Sequence, residues 1–126
     1  MNLQTLSLEQ TKNTPHVLAE PDTGKFVIEG DSYPENSYEF FTPVFDWVEQ
    51  FLNESDRVLM MQLQIAYMNT SSVKAMMDLF DMMEEAYTEG KQMEVVWFYD
   101  PLNERVVEMV EEFMEDCSFP FRIQAR

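Results

Sequence analysis

The chain has 126 residues, 45% of them hydrophobic, and 24 Asp plus Glu against 8 Lys plus Arg, a formal charge of -16. That is enough chain for one domain with its own core and too little for two, and it is too apolar for a disordered segment. The charge excludes nucleic acid, whose counterions nothing here replaces, and an anionic membrane surface; it suits a basic or mixed-charge protein partner.

No run of 18 apolar residues is present, so no membrane span is expected. Residues 1–14 lack the apolar core of a signal peptide. Cys117 is the single cysteine, which rules out an internal disulfide. Together these features predict a cytoplasmic domain.

Residues 1–14 are polar and rich in Thr, Asn and Gln, and read as a flexible N-terminal arm; residues 15–126 read as a single domain. Residues 17–20 predict a short edge strand. Pro21-Asp22-Thr23-Gly24 is a turn signal, and Phe26, Val27 and Ile28 make a second strand that Gly30-Asp31 ends. The two strands predict a hairpin. Asn36 with Glu39 three residues on is a capping box, and Tyr38, Phe41, Phe45, Val48 and Leu52 then recur at helical spacing. Pro43 interrupts that stripe: either the helix kinks there or Thr42-Pro43 restarts it as cap and first residue. One element with a local break, ending near Asn53-Glu54-Ser55, is the expectation.

Residues 58–67 form the most informative strand. Leu59, Met61, Leu63, Ile65 and Tyr67 share a fully apolar face, while Val58, Met60, Gln62, Gln64 and Ala66 share a mixed one. Doubly covered strands are usually apolar on both faces, so this pattern predicts helices chiefly on one side. Asn69-Thr70-Ser71-Ser72 follows, four residues with N-cap chemistry, of which Asn69 and Thr70 are the candidate caps. The helix they open predicts a stripe of Val73, Met76, Met77, Phe80, Met83 and Tyr87 and stops at Gly90. Residues 93–99 predict a strand with Trp97 and Phe98 on opposite faces. Asp100-Pro101 is read as cap and first residue of a third helix with the stripe Leu102, Val106, Met109, Val110 and Phe113. Phe119, Phe121 and Ile123 alternate as in a short last strand that Pro120 keeps at an edge. The fold class is therefore α/β: a small mixed sheet of four or five strands with helices mainly on one face. Right-handed crossovers make its central strands parallel. Leu59, Leu63, Ile65, Val73, Met77 and Phe80 are the expected core.

Catalytic chemistry is hard to assemble from this chain. Gly24, Gly30 and Gly90 form no phosphate-cradling loop, and His16, the single histidine, has no indicated partner. Cys117, among Phe113, Phe119 and Phe121 at an acidic helix end, reads as a small core residue with a raised thiol pKa. Asp78, Asp81, Glu84 and Glu85 read as a solvated helix face without metal-loop spacing. Glu108, Glu111, Glu112, Glu115 and Asp116 repel one another along the third helix with no interleaved Lys. Solubility explains that pattern, and so does an acidic docking surface. Met82 falls off the main stripe of the second helix, and a soft side chain there suits a releasable partner. Thr70 lies where a helix N-terminus favours an anion, which suits a phosphate bound or covalently added; a well-capped helix alone accounts for the same residues.

Three stretches bear on identity. Tyr67-Met68-Asn69-Thr70-Ser71-Ser72, followed by residues 74–81, resembles the biofilm-regulation phosphoprotein SiaC family. The stretch from Gly30 to Glu39, with Phe45-Asp46-Trp47-Val48-Glu49, is similar to that family's N-terminal motif. Tyr99-Asp100, Asn103-Glu104-Arg105, Glu112 and the stretch from Glu115 to Phe121 are similar to its C-terminal part. The resemblance covers roughly 15–123 and implies a fold like that of anti-sigma factor antagonists (STAS-like). It implies that Thr70 is the phospho-acceptor, with Asn69, Ser71 and Ser72 shaping its surroundings. An anti-sigma-type serine/threonine kinase and a metal-dependent serine/threonine phosphatase would act on Thr70. The unphosphorylated form would bind and activate a diguanylate cyclase, raising cyclic di-GMP and promoting aggregation and biofilm. Lys74, Asp78, Met82, Glu108 and Glu112 are the expected partner-binding surface. No cofactor, metal or enzymatic activity is expected. The alternative output of the same switch is antagonism of an anti-sigma factor in a partner-switching stress pathway.

Overall fold

The computed structural model describes residues 2–126; Met1, the first residue of the expected arm, lies outside them. A six-stranded sheet runs in the order β1 (Leu6–Leu8), β2 (His16–Ala19), β3 (Lys25–Glu29), β4 (Leu59–Gln64), β5 (Met93–Tyr99), β6 (Phe121–Ala125). The first three strands pair antiparallel, and β3 to β6 pair parallel. The parallel strands are joined through α1 (Ser37–Glu54), α2 (Thr70–Thr88) and α3 (Glu104–Met114). Each connection steps to the next strand in the same direction, so crossovers of the favoured right hand place all three helices on one face.

The register fixes that face. Val17 and Ala19 of β2 align with Ile28 and Phe26 of β3, then with Leu63 and Met61 of β4, then with Trp97 and Val95 of β5, and every one of them is buried. Trp47 of α1 packs edge-on to Phe26, and Phe113 of α3 stacks on Trp97. Leu59, Leu63, Ile65 and Phe80 are in the core as expected, and Gln64 is exposed. The two-faced pattern of β4 is thus a correct reading of a sheet covered on one side.

Several boundaries differ from expectation. The sheet has six strands, not four or five, because the segment read as an arm supplies β1. Leu6 and Leu8 align with Ala19 and Val17 and pack against the core, and the Gln4 carbonyl accepts a 2.8 Å hydrogen bond from the Trp47 indole. The alternation is only three residues long and sits among polar neighbours, which hides it in the sequence. Consequently β2 is an inner strand rather than an edge. The first helix is continuous through Pro43, and it buries Val44, Trp47 and Phe51 while Tyr38 is exposed and Phe45 half-buried. The Thr42 hydroxyl donates to the Tyr38 carbonyl one turn before, beside the position where proline has no N–H to offer. The strand read as 58–67 ends at Gln64, and Tyr67 lies outside it, 55% exposed.

In α2 the buried stripe is Ser72, Ala75, Met76, Leu79, Phe80 and Met83; Val73 is half-buried and Met77 is 48% exposed. Ala75 supplies a small side chain on the core face, and Met77, about 100° around the helix from Met76, is turned outward. Asp100-Pro101 forms a turn, not a helix start: the Asp100 carboxylate accepts from the Leu102 N–H at 2.9 Å, Leu102 is 94% exposed, and α3 begins only at Glu104. Gly24 is required by its backbone: φ is +81°, and a Cβ there would lie 2.2 Å from the Val58 carbonyl oxygen. Among the described residues no helix is long and apolar enough to cross a membrane.

Candidate functional site

Two chain segments distant in sequence meet where β4 gives way to α2. The Gly30 N–H bonds the Gln64 carbonyl, the Ser32 N–H the Tyr67 carbonyl, and the Asn69 N–H the Ser32 carbonyl, at 2.9–3.0 Å. The Asp31 carboxylate accepts from the Tyr67 N–H at 3.1 Å. This zipper brings the N-termini of α1 and α2 together, because each helix starts at the end of one zippered segment.

Beneath the junction lies a hydroxyl network. Ser72 is fully buried, and its Oγ lies 2.8 Å from Ser32 Oγ and 2.9 Å from Ser37 Oγ. Ser37 Oγ is also 2.7 Å from Ser71 Oγ. Asn69 is the N-cap of α2: its Oδ1 accepts from the Ser72 N–H at 2.9 Å, and its Nδ2 donates to the Pro34 carbonyl at 2.9 Å. Of the two candidate caps, Asn69 therefore holds the role, and Thr70 is the first helical residue.

The four residues from Asn69 to Ser72 thus divide by environment. Asn69 and Ser71 are half-buried and hydrogen-bonded, and Ser72 is sealed. Thr70 is exposed, and its hydroxyl takes part in none of the hydrogen bonds of the described network. Of the three hydroxyls from Thr70 to Ser72, only that of Thr70 is free.

Lys74 lies four residues after Thr70, and Met77 and Asp78 lie three and four after Lys74, so they share one face of α2, and all four are exposed. The Tyr38 hydroxyl donates to Asp78 at 2.9 Å, and that hydrogen bond, with smaller contributions from burial and the negative charge, raises the Tyr38 pKa above its ordinary value. Tyr67, three residues before Thr70 in the chain, and Tyr33 meet edge-on at 5.8 Å, and both are exposed. Met77 and Asp81 share a shallow niche with Glu112, and Glu108 is exposed one turn earlier on α3. Met82 stands apart: it is half-buried against the core, in a cleft with Glu49, Leu52 and Asn53 of α1. Sequence reasoning missed the buried Ser32 and Ser37 and the exposed Tyr33 and Tyr38 as parts of this site. All four lie in the stretch from Gly30 to Glu39, more than thirty residues from Thr70 in the chain, so no local spacing links them to it.

At the far end of α2, Glu84 accepts from the Ser118 N–H at 2.7 Å, which lowers its pKa. Cys117 donates to the Phe113 carbonyl at 3.2 Å; burial first, then Glu84, Asp116 and Asp81, push its thiol up to about 12.

The model of the SiaC family regulatory phosphoproteins matches residues 8–126. The chain belongs to the SiaC family. An uncharacterised protein of Pseudomonas aeruginosa is 50% identical over 123 residues, 98% of each chain. The crystal structure of apo-SiaC from the same organism superposes with a TM-score of 0.92 at 49% identity, covering 96% of this chain and 98% of that one. The structure of the diguanylate cyclase SiaD in complex with its activator SiaC, also from Pseudomonas aeruginosa, contains a chain 51% identical to this one. That chain has a TM-score of 0.92, with 96% of this chain and 99% of that one covered.

Proposed function

We propose that this protein is a non-catalytic, threonine-phosphorylation-controlled signalling protein whose unphosphorylated form binds and activates a diguanylate cyclase, promoting cyclic di-GMP synthesis and biofilm formation. The observation that carries the reading is the likeness, at 51% identity along nearly the whole chain, to a SiaC bound to the cyclase it activates. Thr70 is the acceptor in this reading. Support comes from its environment: it offers a free, exposed hydroxyl, while Ser71 and Ser72 are engaged. An anti-sigma-type serine/threonine kinase adds the phosphate, a metal-dependent serine/threonine phosphatase removes it, and the partner-switching logic is that of anti-sigma factor antagonists. The cytoplasm is where these partners would meet.

The physics of the switch is local. Phosphate on Thr70 adds about -1.5 to -2 charges. The N-terminus of α2 stabilises it by roughly 0.3–1 kcal/mol, and Lys74 sits one turn along the same face. The fold therefore tolerates the modification, and its effect falls on the partner. Tyr33, Tyr67 and Met77 give the exposed surface its apolar anchors, with Lys74, Asp78, Glu108 and Glu112 as the polar rim. A partner matched to a neutral hydroxyl amid these side chains must desolvate a dianion instead. A mismatch of about 3 kcal/mol changes affinity more than a hundredfold.

The test is titration calorimetry of a purified diguanylate cyclase with unmodified and stoichiometrically phosphorylated protein. The phosphorylated form and Thr70→Asp are expected to bind at least tenfold more weakly, and Thr70→Ala to bind and activate even with the kinase present. Equal affinities for the two forms refute the switch. Tight binding to an anti-sigma kinase without binding to any cyclase would favour sigma-factor release as the output.

A further inference from the structure

All three helices cover one face of the sheet, and among the described residues no layer covers the opposite face. The register gives that face row by row. One row runs Lys25 (β3), Met60 (β4), Glu94 (β5); the next runs Leu18 (β2), Val27, Gln62, Val96, Arg122 (β6). The third contains Glu29, Gln64 and Phe98, with the Arg126 guanidinium 4.4 Å over the Phe98 ring and 3.0 Å from the Gln64 side-chain oxygen. Met60, at the centre of the first row, is 37% exposed.

The charge of the molecule is distributed unevenly between its layers. Each helix carries four carboxylates, and the three together carry only Lys74 and Arg105 as cations. The strands carry Lys25 and Arg122 against Glu29 and Glu94 and are formally neutral. In a chain of net charge -16, the open sheet face is thus the surface on which a second copy meets the least repulsion.

We propose that the open sheet face is a self-association surface that pairs two copies of this chain about a two-fold axis running along β4. A rotation about that axis exchanges β3 with β5 and leaves each row in place. Lys25 then lies opposite Glu94 of the second copy, and Glu94 opposite its Lys25. Glu29 lies opposite the Phe98 position, where it meets Arg126. Val27 meets Val96, and Met60 and Gln62 meet their own counterparts. Within one chain Lys25 and Glu94 stand two strands apart, about 10 Å between backbones, with Met60 between them. Across β3, β4 and β5 the face is self-complementary in charge and in apolar content, as an isologous interface requires, and at its rim Leu18 of β2 lies opposite Arg122 of β6. Its strands lie within the aligned range of packed sheets. The arrangement puts both acidic helical layers on the outside, as far apart as the geometry permits, and leaves both Thr70 surfaces free.

The face measures roughly 25 by 17 Å from strand spacing and rise. That is at the small end for specific interfaces, so the dimer is weak and concentration-dependent. The proposal stands independently of the proposed function, since it uses none of the switch residues.

The experiment is sedimentation equilibrium at physiological ionic strength, at concentrations up to about 1 mM, on the whole chain and three variants. Wild-type mass rises with concentration from 14.9 kDa toward twice that value. Lys25→Glu and Glu94→Lys each weaken association at least tenfold, because each places like charges opposite one another twice per dimer. The double variant Lys25→Glu with Glu94→Lys restores wild-type association. Both side chains are exposed, and circular dichroism checks that each variant is folded. A wild-type chain monomeric throughout the range, a dimer indifferent to both reversals, or a folded double variant that fails to recover each overturns the proposal.

Discussion

Replacing Ser72 by alanine removes the hub of the hydroxyl network, and replacing Thr70, two residues earlier, removes nothing but exposed surface. The contrast tests whether the switch residue and its support are separable. Ser72→Ala deletes two hydrogen bonds, to Ser32 and Ser37. Ser37 keeps Ser71 at 2.7 Å, but Ser32 is fully buried and its hydroxyl loses its only side-chain partner in the network. Two bonds at about 0.5–1.5 kcal/mol each, together with a buried hydroxyl left unpaired at about 1–3, overlap to give a net loss of roughly 2–3 kcal/mol. For a domain of this size that lowers Tm by about 8–12 °C, taking about 4 °C per kcal/mol. Thr70→Ala is expected within about 0.5 kcal/mol of wild type, since Asn69 holds the cap. Urea melts of the two variants, fitted with a common slope, measure both numbers. A Ser72→Ala variant as stable as wild type would show that the network contributes nothing to the fold. A Thr70→Ala variant that loses 2 kcal/mol or more would make Thr70 structural first.

Asn69→Ala removes the cap bond to the Ser72 N–H and the tie to the Pro34 carbonyl, and is expected to cost about 1–2 kcal/mol by the same melts. Leu63→Ala, fully buried in the centre of the sheet, is expected to cost about 2–5 kcal/mol. Met77→Ala, facing outward on the Thr70 stripe, is expected to change stability by less than about 1 kcal/mol while weakening cyclase binding in calorimetry. Cys117, held up to about 12 from an ordinary 9.0, is expected to resist iodoacetamide at pH 8 in the folded state and to react readily in urea, followed by mass spectrometry. A thiol whose folded pKa is raised favours the fold fully below its unfolded value. That contribution is lost as pH rises from about 9 toward about 12, so alkaline melts of wild type and Cys117→Ala should converge across this window.

What the sequence determined by itself is whatever rests on period and on local chemistry. Leu59, Met61, Leu63 and Ile65 alternate with Met60, Gln62 and Gln64, a mixed face that two glutamines keep from full burial, so a one-sided sheet follows from the chain alone. Asn36 and Asn69 cap their helices through bonds three residues long. Gly90 ends α2 with φ at +100°, a conformation glycine enters without steric cost. What only the tertiary structure decided depends on partners distant in the chain. Leu6 and Leu8 become a strand because β2 offers them an edge, and no local pattern of three residues announces that. Met76 and Met77 are chemically identical, and packing against α1 and the sheet determines which one is buried. Asp100-Pro101 satisfies every local rule for starting a helix and yet forms a turn, with its carboxylate bonded to the Leu102 N–H. The chain marks the junction of residues 69–72 as a well-capped helix start. It does not reveal that Ser32 and Ser37, more than thirty residues away, occupy the hydroxyls of Ser71 and Ser72. That occupation leaves Thr70 as the free one, and it exists only because the zippered backbone holds two helix N-termini within hydrogen-bonding distance.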